Sequence, residues 1–413
     1  MSEWIFTGKA FIDEEIKKDV WIEIDEGKID SIVYQLSDWE PAHGQVIGKF
    51  NDGFVIPGMI DTHVHLSHAG DPDESWSIDS VLKRDGSLSL QAINNAQRSI
   101  KYGVITVRDL GSRSLADICA RDAINRGLFP GSRIIAGGHA ITTTAGHMDS
   151  SRYIRTGIPY ESIASMGIIA DTPSEGVKAV RRCLLEGSDV IKINVSCSET
   201  VQKFNMRYVP EMSKEMLKAI CDIAHLNKRR VAGHSHGGEA VDHAIEAGVD
   251  SLEHCRYITN KQLEKMAEKG LFLTPTLSPE FRSPDIVPEN FMISQEWQDT
   301  LRKAMYDEVH RANSIGVKIS TGSDAGMPFV PHGGLAYEME ALTLAGLSTK
   351  QALLSATKLA AENVGLSDVI GVIKEGFVAD LVILKKDPIA DIKILQDLEN
   401  IQMVLKEGQR VTI

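Results

Sequence analysis

The sequence predicts an α/β protein, a (β/α)8 TIM barrel joined to a small β-sandwich domain that is built from both chain ends. Three observations predict it. Apolar strand-like runs alternate with longer helical patterns through the middle of the chain, both ends have a different and β-rich texture, and 413 residues exceed one ordinary domain.

The N-terminal stretch reads as short strands, Trp4-Ile5-Phe6, Val20 to Ile24 and Ile29 to Val33, broken by turn signals such as Asp25-Glu26-Gly27-Lys28. The C-terminal stretch repeats this texture in Asp380 to Leu384 and Ile401 to Leu405. The expected β-sandwich domain therefore spans 1–57 and 365–413, with the barrel between them at 58–364. Within the barrel, strand-like runs fall at Val104–Val107, Arg133–Ala136, Val190–Ile193, Val231-Ala232, Ser251-Leu252, Phe272-Leu273 and Lys318–Ser320. Segments such as Glu211 to Asn227 and Gly238 to Ala247 carry apolar residues at helical spacing. About eight β-then-α units over roughly 300 residues favour a barrel over an open sheet.

Composition narrows the function. Hydrophobic residues make up 43% and charged residues 24%, ordinary for a soluble globular chain. The net charge of -13 is dispersed, whereas a nucleic-acid surface needs clustered Lys and Arg. No stretch approaches the roughly 20 apolar residues of a membrane span, and Met1 to Lys9 lacks the pattern of a signal peptide. A cytoplasmic protein acting on a small molecule, with no nucleic-acid or membrane partner and associating with its own copies, is the expectation. The five cysteines (119, 183, 197, 221 and 255) never form a CxxC pair, and most of them read as small buried hydrophobes.

The chemistry is carried by histidines at strand ends. In Pro57-Gly58-Met59-Ile60-Asp61-Thr62-His63-Val64-His65 the two histidines are two apart, so on a strand both imidazoles face one side. Alone such a pair is a weak signal. Val231-Ala232-Gly233-His234, Ser251-Leu252-Glu253-His254 and Thr321-Gly322-Ser323-Asp324 each end a further strand with a ligand-type residue. In a barrel all these strand ends open on one face. Four neutral nitrogens and a carboxylate suit zinc or a similar first-row ion. Lys192, in Asp189-Val190-Ile191-Lys192-Ile193, is ambiguous. An ammonium cannot ligate a cation, so it is either a core-edge lysine reaching solvent or an amine converted to a carbamate whose two oxygens bridge two ions.

The ordered set His63-x-His65, Lys192, His234, His254 and Asp324 resembles the amidohydrolase superfamily, in its binuclear branch with a carboxylated lysine. The string Val55 to Asp61 and the string Ile373 to Val382 are similar to its flanking segments. The resemblance implies two divalent ions, zinc as the expected metal: one held by His63 and His65 with Asp324, the other by His234 and His254, with carboxylated Lys192 between them. It implies a bridging hydroxide as nucleophile and Asp324 as proton acceptor and then donor to the leaving group.

Within the superfamily the chain is most similar to dipeptidases of the Xaa-Pro (prolidase) and Xaa-Arg carboxypeptidase kind. Thr144-Ala145-Gly146-His147-Met148-Asp149 resembles a loop whose histidine contacts the scissile carbonyl. Ala232 to Gly237 resembles a segment in which His236 meets the substrate carboxylate, and His332 in Pro331-His332-Gly333-Gly334 fits the loop after the catalytic aspartate. The chain departs from those dipeptidases after Lys192, where Asn194 to Glu199 replaces a double-glycine turn. The loop Ser198 to Tyr208 holds two further carboxylate-binding candidates, Arg207 and Tyr208; Arg282, in a proline-punctuated loop that could form part of a lid, is a third.

The expected activity is hydrolysis of an amide or peptide bond in a dipeptide or N-acyl amino acid. Cyclic-amide hydrolysis, lactonase chemistry and heterocycle deamination are the alternatives, and a non-catalytic binding subunit is the weakest. The remaining residues have plainer readings. His139 is read as solvated loop, His68, His225, His243 and His310 as surface or cap residues, and His43 as part of the terminal β region. Cys255 is read as core, and Asp109 as a structural contact at the barrel rim.

Overall fold

The computed structural model describes residues 2–71, 82–153, 165–196, 209–282 and 295–412. Four strands come from the N-terminal stretch: β1 (Glu3–Ile12), β2 (Glu15–Asp25), β3 (Lys28–Tyr34) and β4 (Gln45–Pro57). The middle contributes β5 (Met59–Val64), β6 (Val104–Asp109), β7 (Arg133–Ala136), β8 (Ala140–Thr142), β9 (Gly167–Ile169), β10 (Val190–Asn194), β11 (Arg230–Gly237), β12 (Ser251–Tyr257), β13 (Phe272–Thr274) and β14 (Lys318–Ile319). The C-terminal stretch adds β15 (Leu381–Leu384), β16 (Ile401–Lys406) and β17 (Gln409–Arg410).

Both ends of the chain meet in one seven-stranded sheet of order β17-β16-β15-β4-β1-β2-β3. The junction is the antiparallel pairing of Leu381–Leu384 with Phe54–Pro57. Both runs are apolar at every position because both faces of the sheet are covered there. Val55, Leu381 and Ile383 pack with Ile5, Ile22 and Leu405 on one side. Phe54, Ile56, Val382 and Leu384 pack with Met59, Ile100 and Val104 on the other, as the two-residue period of a strand requires. The sheet also turns back on itself. Ala379 N–H donates to Gly27 O at 2.9 Å and Gly408 N–H to Ala379 O at 2.9 Å, so the β2–β3 turn reaches the β16–β17 turn. The terminal strands expected to form a β-sandwich thus belong to one seven-stranded sheet, whose β2–β3 and β16–β17 turns are linked through Ala379.

The middle strands pair in parallel throughout, in one sheet of order β5-β6-β7 and another of order β14-β13-β12-β11-β10-β8-β9. Backbone hydrogen bonds join the two sheets at both sides. Between β7 and β8 the chain breaks at Gly137 and Gly138, the latter left-handed at φ 64°, and Asp189 N–H crosses to Ala136 O at 2.7 Å. On the other side the segment after β14 lies against β5: Thr62 N–H donates to Thr321 O, Asp324 N–H to His63 O and His65 N–H to Ala325 O, at 2.7–3.0 Å.

The helices between strands follow local rules. Lys214–Leu226 and Glu239–Ala247 occupy the two segments read as helical from apolar spacing. Ser213 caps the first by accepting from Met216 N–H. Pro173–Glu186 starts with a Thr172/Glu175 capping box and ends at left-handed Gly187. Among the described residues no helix is long and apolar enough to cross a membrane.

One ion-pair group ties the terminal sheet to the middle. Arg133, on β7, donates to Asp380 at 2.5 Å and to Glu407 at 2.9 Å, with its side chain 18% exposed. Arg133→Ala leaves Asp380 largely buried without its cation, so a loss of about 1–3 kcal/mol is expected after discounting for solvent contact. Chemical denaturation checks this, and an unchanged midpoint contradicts it.

Candidate metal centre

Parallel strands of matched register deliver their last residues to one end of the sheet. Along β10, β11 and β12, Lys192 pairs with Ala232, Asn194 with His234, and Ser235 with His254. Lys192, His234 and His254 thus stand on three neighbouring strands at successive levels. His63 lies at the end of β5 and His65 directly follows it, and Asp324 is fastened beside them by its own N–H to His63 O.

The His63 and His65 Nε2 atoms lie 3.5 and 3.3 Å from Asp324 Oδ1. These three residues offer ligand atoms within 4.8 Å of one another. The His254 ring is 4.9 Å from that of His63 and 4.6 Å from that of His234, so the imidazoles form a continuous group. All five of these residues are buried, and Lys192 is wholly so.

The tautomers are set from outside the group. His63 Nδ1 lies 2.9 Å from Glu253 Oε2, and since a carboxylate only accepts, the imidazole donates there and turns an Nε2 lone pair inward. His65 Nδ1 does the same to the Gly111 carbonyl at 2.9 Å. His254 Nδ1 is 2.6 Å from Thr276 Oγ1. Burial drives the His234 and His254 pKa values well below the ordinary histidine range, with neighbouring imidazoles adding to it. Burial likewise brings His63 down to about 4. Neutral imidazoles are the form that ligates a metal. Asp324 is pushed up by burial, but His63 and His65 outweigh this and hold it below the ordinary carboxylate range. Burial lowers Lys192 to about 8, against the pull of Glu253 and Asp324.

Several buried polar atoms here have no hydrogen-bond partner among the described residues: Lys192 Nζ, His234 Nε2 and Asp324 Oδ1. Each such atom ordinarily costs about 1–3 kcal/mol. Divalent-ion binding fits this arrangement, because neutral nitrogens and an ionised carboxylate are what such ions take, which would satisfy His234 Nε2 and Asp324 Oδ1 but not an ammonium at Lys192. The backbone is also strained around the site. Asp324, His254, Cys255 and Thr276 all have φ between 49° and 69°, the left-handed region that side chains avoid.

Of the expected substrate contacts, two reach the histidine group. The His147 ring stacks on that of His234 at 3.9 Å, and His236 packs edge-on against His234 at 4.7 Å and near-parallel to His254 at 5.5 Å. His332 is buried to one side, with Nε2 donating to the His68 carbonyl at 3.0 Å. Arg207 and Tyr208, with the loop 198–208, lie outside the described residues, as does Cys197. Arg282 ends the short helix Ser278–Arg282, and its side chain is likewise outside the description.

His68 is not a surface residue: it is fully buried, its ring 6.1 Å from that of His65, because the chain turns inward directly after β5. His225 is half-exposed and pairs with Asp250, and His43 bonds Glu23 in the terminal sheet. His139 is mostly buried and pairs with Glu186 at 3.1 Å rather than lying in solvent. Cys255 is buried. Asp109 accepts from Leu66 N–H at 2.7 Å and Gly111 N–H at 2.9 Å, shaping the turn whose carbonyl orients His65.

Sequence reasoning missed a supporting layer. Glu253 links His63 to Arg108, whose guanidinium is 3.0 Å from Glu253 Oε1 and also donates to the Thr62 carbonyl at 2.6 Å. Burial pushes Glu253 up, yet Arg108 and His63 hold it down at about 2. Asp61 accepts from Ser323 N–H and Oγ–H at 2.9 and 2.5 Å, bracing the turn that carries Asp324. A signal existed: Arg108 and Glu253 are charges of opposite sign inside two otherwise apolar strands, which buried strands tolerate only in pairs. Glu253→Gln keeps the size but weakens the grip on His63 Nδ1, so metal affinity should fall about 10- to 100-fold. Competition against a chelator measures it, and unchanged affinity contradicts the assigned role.

The amidohydrolase family profile matches residues 54–411. Among curated proteins, the chain is 28% identical over 377 residues to the ochratoxinase of Aspergillus niger, covering 86% of this chain and 75% of that one. Imidazolonepropionase of Cutibacterium acnes is 22% identical over 352 residues, covering 80% and 75%. Among solved structures, a Xaa-Pro dipeptidase with methionine bound in its active site superposes with a TM-score of 0.86 at 29% identity, covering 100% of both chains. The A. niger ochratoxinase structure gives 0.85 at 25% identity, covering 99% and 95%. With a family match over most of its length and a metal-ligand cluster at its strand ends, the chain belongs to the amidohydrolase family, in its prolidase-like group, and is a metal-dependent hydrolase acting on C–N bonds.

Proposed function

We propose that the chain hydrolyses the amide or peptide bond of a small carboxylate-bearing substrate, a dipeptide or an N-acyl amino acid, at a centre of two divalent ions. In this reading the two parallel sheets are arcs of one (β/α)8 barrel over 58–364, and 1–57 with 365–413 form the second domain. His63, His65 and Asp324 would hold one ion and His234 and His254 the other, with carboxylated Lys192 as a ligand they would share; the nitrogen-rich donor set favours zinc. The observation that carries the proposal is the buried Lys192 Nζ, which has no hydrogen-bond partner among the described residues although it stands among metal-type ligands. An ammonium is out of place beside cations, and a carbamate is not.

Ions held there supply Lewis acidity and an activated water near neutral pH. The protein's groups do the rest. Asp324, kept ionised by His63 and His65, accepts the proton of the attacking water and returns it to the leaving nitrogen. His147, half-buried and lying flat against His234, presents its ring edge to the scissile carbonyl. His236 meets the substrate carboxylate from inside the site, with Arg207 and Tyr208 as further candidates and His332 at the side. The likeness to a Xaa-Pro dipeptidase supports a dipeptide, and the likeness to ochratoxinase supports amide chemistry in the wider sense.

The test is turnover. Metal-loaded protein incubated with Xaa-Pro and Xaa-Arg dipeptides and N-acyl amino acids should release free amino acid from at least one class, and no release from any class contradicts the proposal. Asp324→Asn should lower kcat by at least about 1000-fold, the scale of losing an essential proton carrier together with a metal ligand. Retained turnover in that variant contradicts the proton-carrying role.

A further inference from the structure

The loop that bears His147 is pinned by three carboxylates. Asp171 accepts from Thr144 N–H at 2.8 Å and from its hydroxyl at 2.7 Å. Asp149 accepts from Ala145 N–H at 2.8 Å, which holds Ala145 in a left-handed conformation at φ 61°. The third, Glu211, is the one that holds His147 itself: Oε1 accepts from the His147 N–H at 2.7 Å, and Oε2 from Thr142 Oγ–H at 3.1 Å. The fit is close on both sides. A side chain at Gly146 would bring its Cβ within 2.4 Å of Glu211 Oε2 and 2.5 Å of Thr142 Oγ1.

Glu211 belongs to a different part of the chain from the loop it holds. It follows directly on the Ser196↔Pro210 bridge, and its own N–H donates to Val195 O at 2.9 Å. Val195 is the residue after β10, the strand of Lys192. The carboxylate therefore references the His147 loop to the strand that carries the bridging lysine, while the His147 ring lies on His234 of the next strand. Moving this one anchor shifts the histidine relative to both.

We infer that Glu211 is a positioning residue that sets the His147 ring against the metal centre by gripping the His147 backbone N–H. The inference rests on the proposed role of His147 at the scissile carbonyl. It implies that Glu211 acts on turnover only through His147 and leaves metal binding alone.

Glu211→Ala should lower kcat about 10- to 100-fold on whichever dipeptide or N-acyl amino acid is turned over, the scale of a misplacement near 1 Å. KM should change less than about threefold, and metal content should stay at the wild-type level. Glu211→Gln, whose amide oxygen still accepts from the His147 N–H, should recover most of the lost kcat. In a His147→Ala background the Glu211→Ala change should cost nothing further. Wild-type kcat in Glu211→Ala, or an added loss in the double variant, overturns the inference. Hydrogen exchange of segment 142–148 in the zinc-loaded protein reads the grip without using activity. Faster exchange in Glu211→Ala than in wild type supports it, and equal protection overturns it. If His147→Ala keeps full turnover while exchange in Glu211→Ala rises, the grip stands and the role given to His147 falls.

Discussion

A fully buried carboxylate, Glu253, stands between the Arg108 guanidinium and the His63 imidazole. Three charged or polar side chains are removed from water together there, and none is tolerable without the other two. Arg108 is committed further by donating to the Thr62 carbonyl, one residue before His63. These contacts run from the inside of one parallel sheet, through the other, to the first candidate metal ligand. It holds the imidazole of His63 in one tautomer with its lone pair facing Asp324. Other candidate ligands are braced in the same manner, His65 by Gly111, His254 by Thr276, and the Asp324 turn by Asp61.

The result is a region in which the supporting contacts are satisfied and the inward-facing atoms are not. Lys192 Nζ, His234 Nε2 and Asp324 Oδ1 are buried without a partner among the described residues. A fold that places left-handed backbone at Asp324, His254, Cys255 and Thr276 together gives up stability at the strand ends. Strain and unpaired polar atoms in one place are the ordinary signature of a site arranged for a ligand rather than for folding. The Glu211 grip on the His147 loop extends the pattern outward, since it fixes a side chain by holding its backbone from a distant part of the sequence.

The alternation of parallel strands with helices was legible because the middle strands are buried on both faces and read as unbroken apolar runs, as in Val190 to Ile193. The candidate metal ligands were legible because each lies in or just after a strand-like run, in a short, separable string. Lys192 stood out as a lysine inside an apolar run. The supporting residues were hidden for a physical reason: Glu211 is 64 positions from His147, and the Arg108–Glu253 pair is 145 apart, so only the packed chain brings them together. His68 misled because a histidine three residues beyond a ligand pair looks like the start of a surface loop, whereas Asp109 draws that turn inward. The joining of both chain ends in one sheet was also hidden, since the contacts that link its turns, through Gly27, Ala379 and Gly408, are between backbone atoms.

Everything proposed for the chemistry depends on Lys192 joining two ions. The direct measurement is divalent metal content per chain of wild-type protein and of Lys192→Ala, both loaded in the presence of bicarbonate. The account predicts about two ions in the wild type and a clear loss in the variant that added short-chain carboxylate partly restores. One ion per chain, bound equally well by both proteins, would contradict it.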